Sequence, residues 1–176
     1  LYDFHNEEED IPINEPYIFV YCLGKKIRGG FTTAFQDIKN VYPNAKIVTI
    51  AIPGYGEEIR QYADIILDQC SPGQWISLIK HAVLILTDSF HGVCFSLKYK
   101  KPFIAFYSLQ WRASRLLDLK QRLGLNNRIV SSWQEIRDNN TAIDTLDYTD
   151  IQRQLQTLAT TSWNYLHTSL MSIKHE

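Results

Sequence analysis

Val83-Leu84-Ile85-Leu86-Thr87-Asp88-Ser89-Phe90-His91-Gly92 is the stretch that decides the fold. Its first five residues are apolar or β-branched and stop at an acid, so they read as a short strand covered on both faces. Polar groups follow at once, and Phe90–Tyr99 takes up helical spacing. Working towards the C-terminus, Phe103–Tyr107 reads as the next strand, Arg112–Leu123 as a helix closed by Gly124, and Arg128–Val130 as a short last strand. Towards the N-terminus, Ser71-Pro72-Gly73-Gln74 is a helix start: Ser caps, Pro takes the first turn, and Gln completes a capping box. That helix places Trp75, Leu78, Ile79 and Ala82 on one face. Before it come Ala63–Leu67 and Lys46–Ile52 as strands, Phe31–Tyr42 as a helix, and Tyr17–Leu23 as a strand ended by Gly24. Strands alternating with helices predict βα units: an α/β fold with a Rossmann-like parallel sheet flanked by helices.

Two segments fall outside this alternation. Residues 131–147 read as a surface connection with one helical turn. Thr149-x-x-Gln152 reads as a second capping box, opening a long amphipathic helix with Ile151, Leu155, Leu158, Leu166 and Leu170 inward. The expected division is an acidic linker or N-terminal extension over 1–15 and a Rossmann-like domain with a long terminal helix over 16–176.

The length of 176 residues suits one such domain and a core that needs no disulfide or metal. Hydrophobic residues at 45% and charged residues at 21% exclude a disordered chain. No apolar run reaches the ~20 residues that span a bilayer. Three cysteines, Cys22, Cys70 and Cys94, form neither a disulfide framework nor a zinc motif, and fit a reducing cytoplasm. The five histidines show no metal spacing, so no metal site is expected.

The net charge of −1 hides a segregation. Asp3, Glu7, Glu8, Glu9, Asp10 and Glu15 stand in residues 1–16 without one Lys or Arg, while the remainder carries 18 basic and 13 acidic residues, a net of +5. Between Lys98 and Arg128 lie Lys98, Lys100, Lys101, Arg112, Arg115, Lys120, Arg122 and Arg128 against Asp118 alone. A pI near 6.6 and the absence of a DNA- or RNA-binding motif argue against nucleic acid.

In parallel α/β sheets, ligands bind beyond the carboxyl ends of the strands. This rule selects Gly24–Gly30, Asp88–Gly92 and Ser108–Arg115. The second is the strongest: a helix N-terminus with unpaired N–H groups, Ser89 to cap, Gly92 to admit a ligand to the backbone, and His91 to exchange a proton near neutral pH. The competing reading makes Asp88 and Ser89 simple caps and His91 structural. In the third, Arg112 and Arg115 share a helix face, with Ser114 between them, and a guanidinium fork fits phosphate or carboxylate. The first loop is basic but is neither a Walker A motif nor GxGxxG, so it reads as surface.

Ala82–Ser96 with its Asp88-Ser89-Phe90-His91-Gly92 segment, then Lys101-Pro102-Phe103-Ile104-Ala105, then Ser114-Arg115, resembles the polysaccharide pyruvyl transferase family. Ser71-Pro72-x-x-Trp75, Gly124-Leu125 with Arg128, and the long terminal helix accompany it in order. The resemblance covers residues 16–176. It implies the C-terminal half of a glycosyltransferase-B-like fold, with an N-terminal domain as its necessary partner. It implies transfer of a pyruvyl group from phosphoenolpyruvate to two hydroxyls of a sugar, forming a ketal. The acceptor would belong to a cell-surface polysaccharide or its lipid-linked precursor. No cofactor is expected, phosphoenolpyruvate being the donor substrate. His91 is the expected catalytic residue; Ser89, Gly92, Arg112, Ser114 and Arg115 are the expected substrate-binding residues. The expected location is the cytoplasm, with peripheral association at the inner face of the membrane. The alternatives are a nucleotide-sugar-dependent glycosyltransferase of the same architecture and a non-catalytic anion- or sugar-binding domain.

Overall fold

The computed structural model describes residues 7–24, 27–107 and 113–173. The elements in chain order are β1 (Tyr17–Tyr21), α1 (Phe31–Val41), β2 (Lys46–Ile50), β3 (Ile65–Leu67), α2 (Pro72–His81), β4 (Leu84–Thr87), α3 (Phe90–Lys98), β5 (Phe103–Phe106), α4 (Ser114–Arg122), β6 (Ile129–Val130), α5 (Trp133–Asp138) and α6 (Thr149–Ile173). The six strands pair in the order β3-β2-β1-β4-β5-β6, all in parallel. This is the doubly wound order that reverses between β1 and β4. The predicted Rossmann-like parallel sheet flanked by helices is therefore present. Between β2 and β3 the connection is only a 3-10 turn over Ile59–Gln61.

Alternate residues of each central strand feed two separate cores. Ile18, Val20, Leu84, Leu86, Ile104 and Phe106 face α1 and α5. Tyr17, Phe19, Ile85, Phe103 and Ala105 face α2, α3, α4 and the start of α6. Every residue of β4 is fully buried, which is why its sequence is a continuous apolar run rather than an alternation.

Caps set the helix limits. Ser71 and Gln74 make the predicted capping box at α2. Three helices end with the same closure, in which a residue at positive φ turns the chain and the next N–H reaches back five residues. Gly124 (φ 65°) closes α4 through Leu125 N–H to the Lys120 carbonyl, 2.9 Å. Lys100 (φ 53°) closes α3 through Lys101 N–H to Ser96, and Asn140 (φ 46°) closes α5 through Thr141 N–H to Ile136.

Four expectations need correction. The helix read from Arg112 begins, within the described residues, at Ser114. The connection over 131–147 is a packing element: Trp133 is 1% exposed, its indole N–H donates to Asp37 at 2.7 Å, and Arg137 grips the same carboxylate with two bonds. The capping box at Thr149 does not form. Asp147 accepts the Thr149 N–H instead, and the helix begins one residue earlier than that box requires. Finally, Ile151, Leu155 and Leu158 pack on the body, but Leu166 is 52% and Leu170 63% exposed, in company with Trp163, Tyr165 and Met171.

The acidic segment is seated over the part described. Glu8 pairs with Lys80 at 2.5 Å, Ser71 Oγ donates to the Glu9 carboxylate, and Ser77 Oγ donates to the Glu9 carbonyl. Gly73 makes room: a Cβ there would lie 2.5 Å from the Glu7 carbonyl oxygen. No helix among the described residues is long and apolar enough to cross a membrane.

Candidate functional site

The carboxyl ends of β1, β4 and β5 lie side by side, and Asp88 joins the loops after β1 and β4. Its carboxylate accepts the Leu23 N–H at 2.6 Å and the Gly24 N–H at 2.5 Å. Burial pushes the Asp88 carboxyl upward, against the pull of these two donors. Asp88 therefore ties the β1 and β4 ends together at the point where the strand order reverses, instead of capping a helix.

The start of α3 is fixed by short-range contacts. The Thr87 hydroxyl donates to the Tyr21 carbonyl at 2.6 Å and accepts the Ser89 N–H at 3.0 Å. Ser89 is the buried N-cap, and its hydroxyl accepts the Gly92 N–H at 3.4 Å. Gly92 is buried too: a Cβ there would sit 2.5 Å from Thr87 Oγ1. The space that glycine leaves is filled by Thr87, so in this structure Gly92 serves strand–helix packing. Ser89 and Gly92 thus shape the turn, while the side chain between them that faces solvent is His91.

His91 has no hydrogen-bond partner among the described residues. Its ring meets the Phe90 ring nearly perpendicular, at 5.9 Å between centroids. Arg115, the second residue of α4, places its guanidinium over the same Phe90 ring, 4.8 Å from the centroid. Cys94, one turn along α3, is near enough for Arg115 to oppose the upward push of burial on its thiol. Among the described residues no carboxylate pairs with Arg115, whereas Arg122, Arg137 and Arg153 each hold one. Ser114 is exposed at the first position of α4, whose N-terminus has no side-chain cap. Arg112 lies outside the described residues, as do Lys25 and Lys26 of the basic loop.

The structure therefore brings His91, Arg115, Ser114 and two helix N-termini to one edge. The sequence reading missed Phe90 as their common neighbour and Cys94 behind it. The Phe90-His91-x-x-Cys94 spacing was visible, but the contact with Arg115 crosses from one βα unit to the next. Chemically this edge can hold an anion, through a guanidinium and uncapped N–H groups, and exchange a proton through an imidazole. No group of His, Cys, Asp or Glu among the described residues is arranged to hold a metal ion. Two cavities, of about 600 and 630 Å³, lie at the amino ends of the strands, beside Glu8–Tyr17 and beside Arg128.

Two solved structures of the UDP-GlcNAc 2-epimerase of Methanocaldococcus jannaschii share this fold. One covers 84% of this chain and 47% of its own, with TM-score 0.54 and 15% identity. The other, in complex with UDP-GlcNAc and UDP, covers 83% and 46%, with TM-score 0.50 and 14% identity. The chain spans about half the length of the structures it matches. No curated protein is detectably similar in sequence. Residues 5–109 match the sequence model of a family described as polysaccharide pyruvyl transferase, a span that includes the whole Thr87–Gly92 turn.

Proposed function

We propose, from the premise that this chain belongs to the polysaccharide pyruvyl transferase family, that it moves a pyruvyl group from phosphoenolpyruvate to two hydroxyls of a sugar. The family marks it as part of a transferase; donor, acceptor and product are our reading. One observation carries it: His91 and Arg115 stand at the same sheet edge, both exposed, and neither is engaged by a described carboxylate. Phosphoenolpyruvate carries a phosphate ester and a carboxylate on the same carbon, and a guanidinium fork with uncapped N–H groups suits both.

In this reading a proton reaches the methylene carbon of the donor, and a sugar hydroxyl adds to C2 and loses its own proton. A second hydroxyl then displaces the phosphate. The products are the cyclic ketal and inorganic phosphate, so no external oxidant or reductant enters. His91 exchanges the protons, Arg115 holds the anion, Arg112 assists it, and the Ser89–Gly92 turn sets the position of His91. The chain would act as the C-terminal half of a two-domain enzyme, facing its acceptor across a cleft in the cytoplasm. A lipid-linked acceptor would place it at the inner face of the membrane.

The test uses the full-length protein. Phosphoenolpyruvate should raise its melting temperature and UDP-GlcNAc should not. Phosphate release with lipid-linked oligosaccharide acceptors should fall about 10²–10⁴-fold in His91→Ala. Stabilisation by UDP-GlcNAc alone would replace the donor by a nucleotide sugar. Turnover near wild type in His91→Ala would remove His91 from the chemistry.

A further inference from the structure

The guanidinium of Arg115 is held in an unusual way for this molecule. Arg122, Arg137 and Arg153 present the edge of the fork to a carboxylate, and Arg128 gives its donors to the carbonyls of Ala142 and Thr145. Arg115 instead lies over a ring, 4.8 Å from the Phe90 centroid. A cation that rests on a ring, and not on a carboxylate or carbonyl, keeps its N–H donors free for a bidentate anion. A carboxylate partner would occupy those donors and repel the ligand. The same ring packs perpendicular to His91 at 5.9 Å. Phe90 is the first residue of α3 and Arg115 the second of α4, so this contact also links two helix starts on adjacent strands.

We propose that Phe90 is a positioning residue: its ring carries Arg115 in an anion-ready orientation and fixes its separation from His91. The proposal rests on the reading of this edge as the phosphoenolpyruvate site, and it extends that reading to a residue that touches neither donor nor acceptor. Phe90 also packs on the core of its sheet face. Leucine keeps that apolar volume in large part while removing the ring, which separates the two roles.

In the full-length enzyme, Phe90→Leu should raise KM for phosphoenolpyruvate about three- to fivefold, the range of an exposed cation–π contact, while kcat changes less than about 1.5-fold. Phe90→Tyr should restore the wild-type KM. In an Arg115→Gln background, Phe90→Leu should raise KM no further. An unchanged KM in Phe90→Leu, or a further rise in that background, would overturn the proposal and leave Phe90 as packing.

A second readout is independent of the donor. The Arg115 charge opposes the upward push of burial on the Cys94 thiol and should favour an anionic reagent there, so the ratio of iodoacetate to iodoacetamide labelling at Cys94, read by peptide mass spectrometry, reports where the guanidinium sits. Phe90→Leu should lower this ratio to the value of Arg115→Gln. If wild type neither binds nor turns over phosphoenolpyruvate, the donor assignment fails and this ratio still decides on Phe90. A ratio equal to wild type would refute the positioning role.

Discussion

Arg115 and Arg128 belong to one basic stretch and have opposite surroundings. Arg115 is exposed at the carboxyl edge of the sheet, its guanidinium lies over the Phe90 ring, and no described carboxylate pairs with it. Arg128 is 7% exposed at the amino edge, where Nη2 donates to the Ala142 and Thr145 carbonyls. Burial lowers the Arg128 pKa, against the opposing effects of Tyr148, Asp144 and Tyr42. One arginine is arranged for a ligand from outside, and the other already has an internal one, its own backbone. The density of positive charge along the sequence does not distinguish these roles; the return path of residues 139–146 does.

The comparison breaks most readily at Arg128. Arg128→Ala leaves two carbonyls without their donor and opens a cavity, and should cost about 3 kcal/mol in urea unfolding. Arg115→Gln should stay within about 0.5 kcal/mol of wild type while phosphoenolpyruvate binding weakens about tenfold or more by calorimetry. The reverse pattern would exchange the two assignments. Next in size is Lys100, a third basic residue of the same stretch. It sits at positive φ to close α3, a conformation that costs a side-chain-bearing residue about 1 kcal/mol. Lys100→Gly should therefore raise stability by about 1 kcal/mol, and no gain would mean that the lysine side chain makes a compensating contact.

The smallest effect belongs to Arg137, which lies outside the stretch and holds Asp37. Arg137 chiefly, with help from Trp133, keeps the Asp37 carboxyl below its ordinary range. A depressed acid stabilises the native state above the ordinary carboxylate value of about 3.9 and loses that contribution as pH falls through the lowered value. Asp37→Asn should flatten the acid limb of the stability profile there, and a limb of unchanged slope would show that other groups control it.

Some of this molecule was legible because the signal was local. Ser71 and Gln74 form their box within one turn. The Val83–Thr87 run is apolar on both faces because β4 has helices on both sides. Other features were out of reach because their partners are distant in sequence. Asp88 looks like a helix cap until Leu23 and Gly24, more than 60 residues earlier, are placed beside it. His91 and Arg115 could be assigned to one edge by the strand-end rule, but their shared neighbour Phe90 needed the contact of α3 with α4. For Leu166 and Leu170 the period was read correctly and the burial was not. Spacing defines an apolar stripe, whereas burial also requires a surface opposite it.

α6 carries a consequence for the time domain. Its 25 residues extend about 37 Å. The body covers Ile151, Leu155 and Leu158, and beyond them, among the described residues, the hydrogen bonds of the helix stay within it. Amides of the turns around Leu155 and Leu158 should exchange mainly when the domain itself opens, whereas those past Ala159 should need no more than a local unwinding. One continuous helix therefore contains two exchange regimes, and the boundary between them marks where the folded body ends.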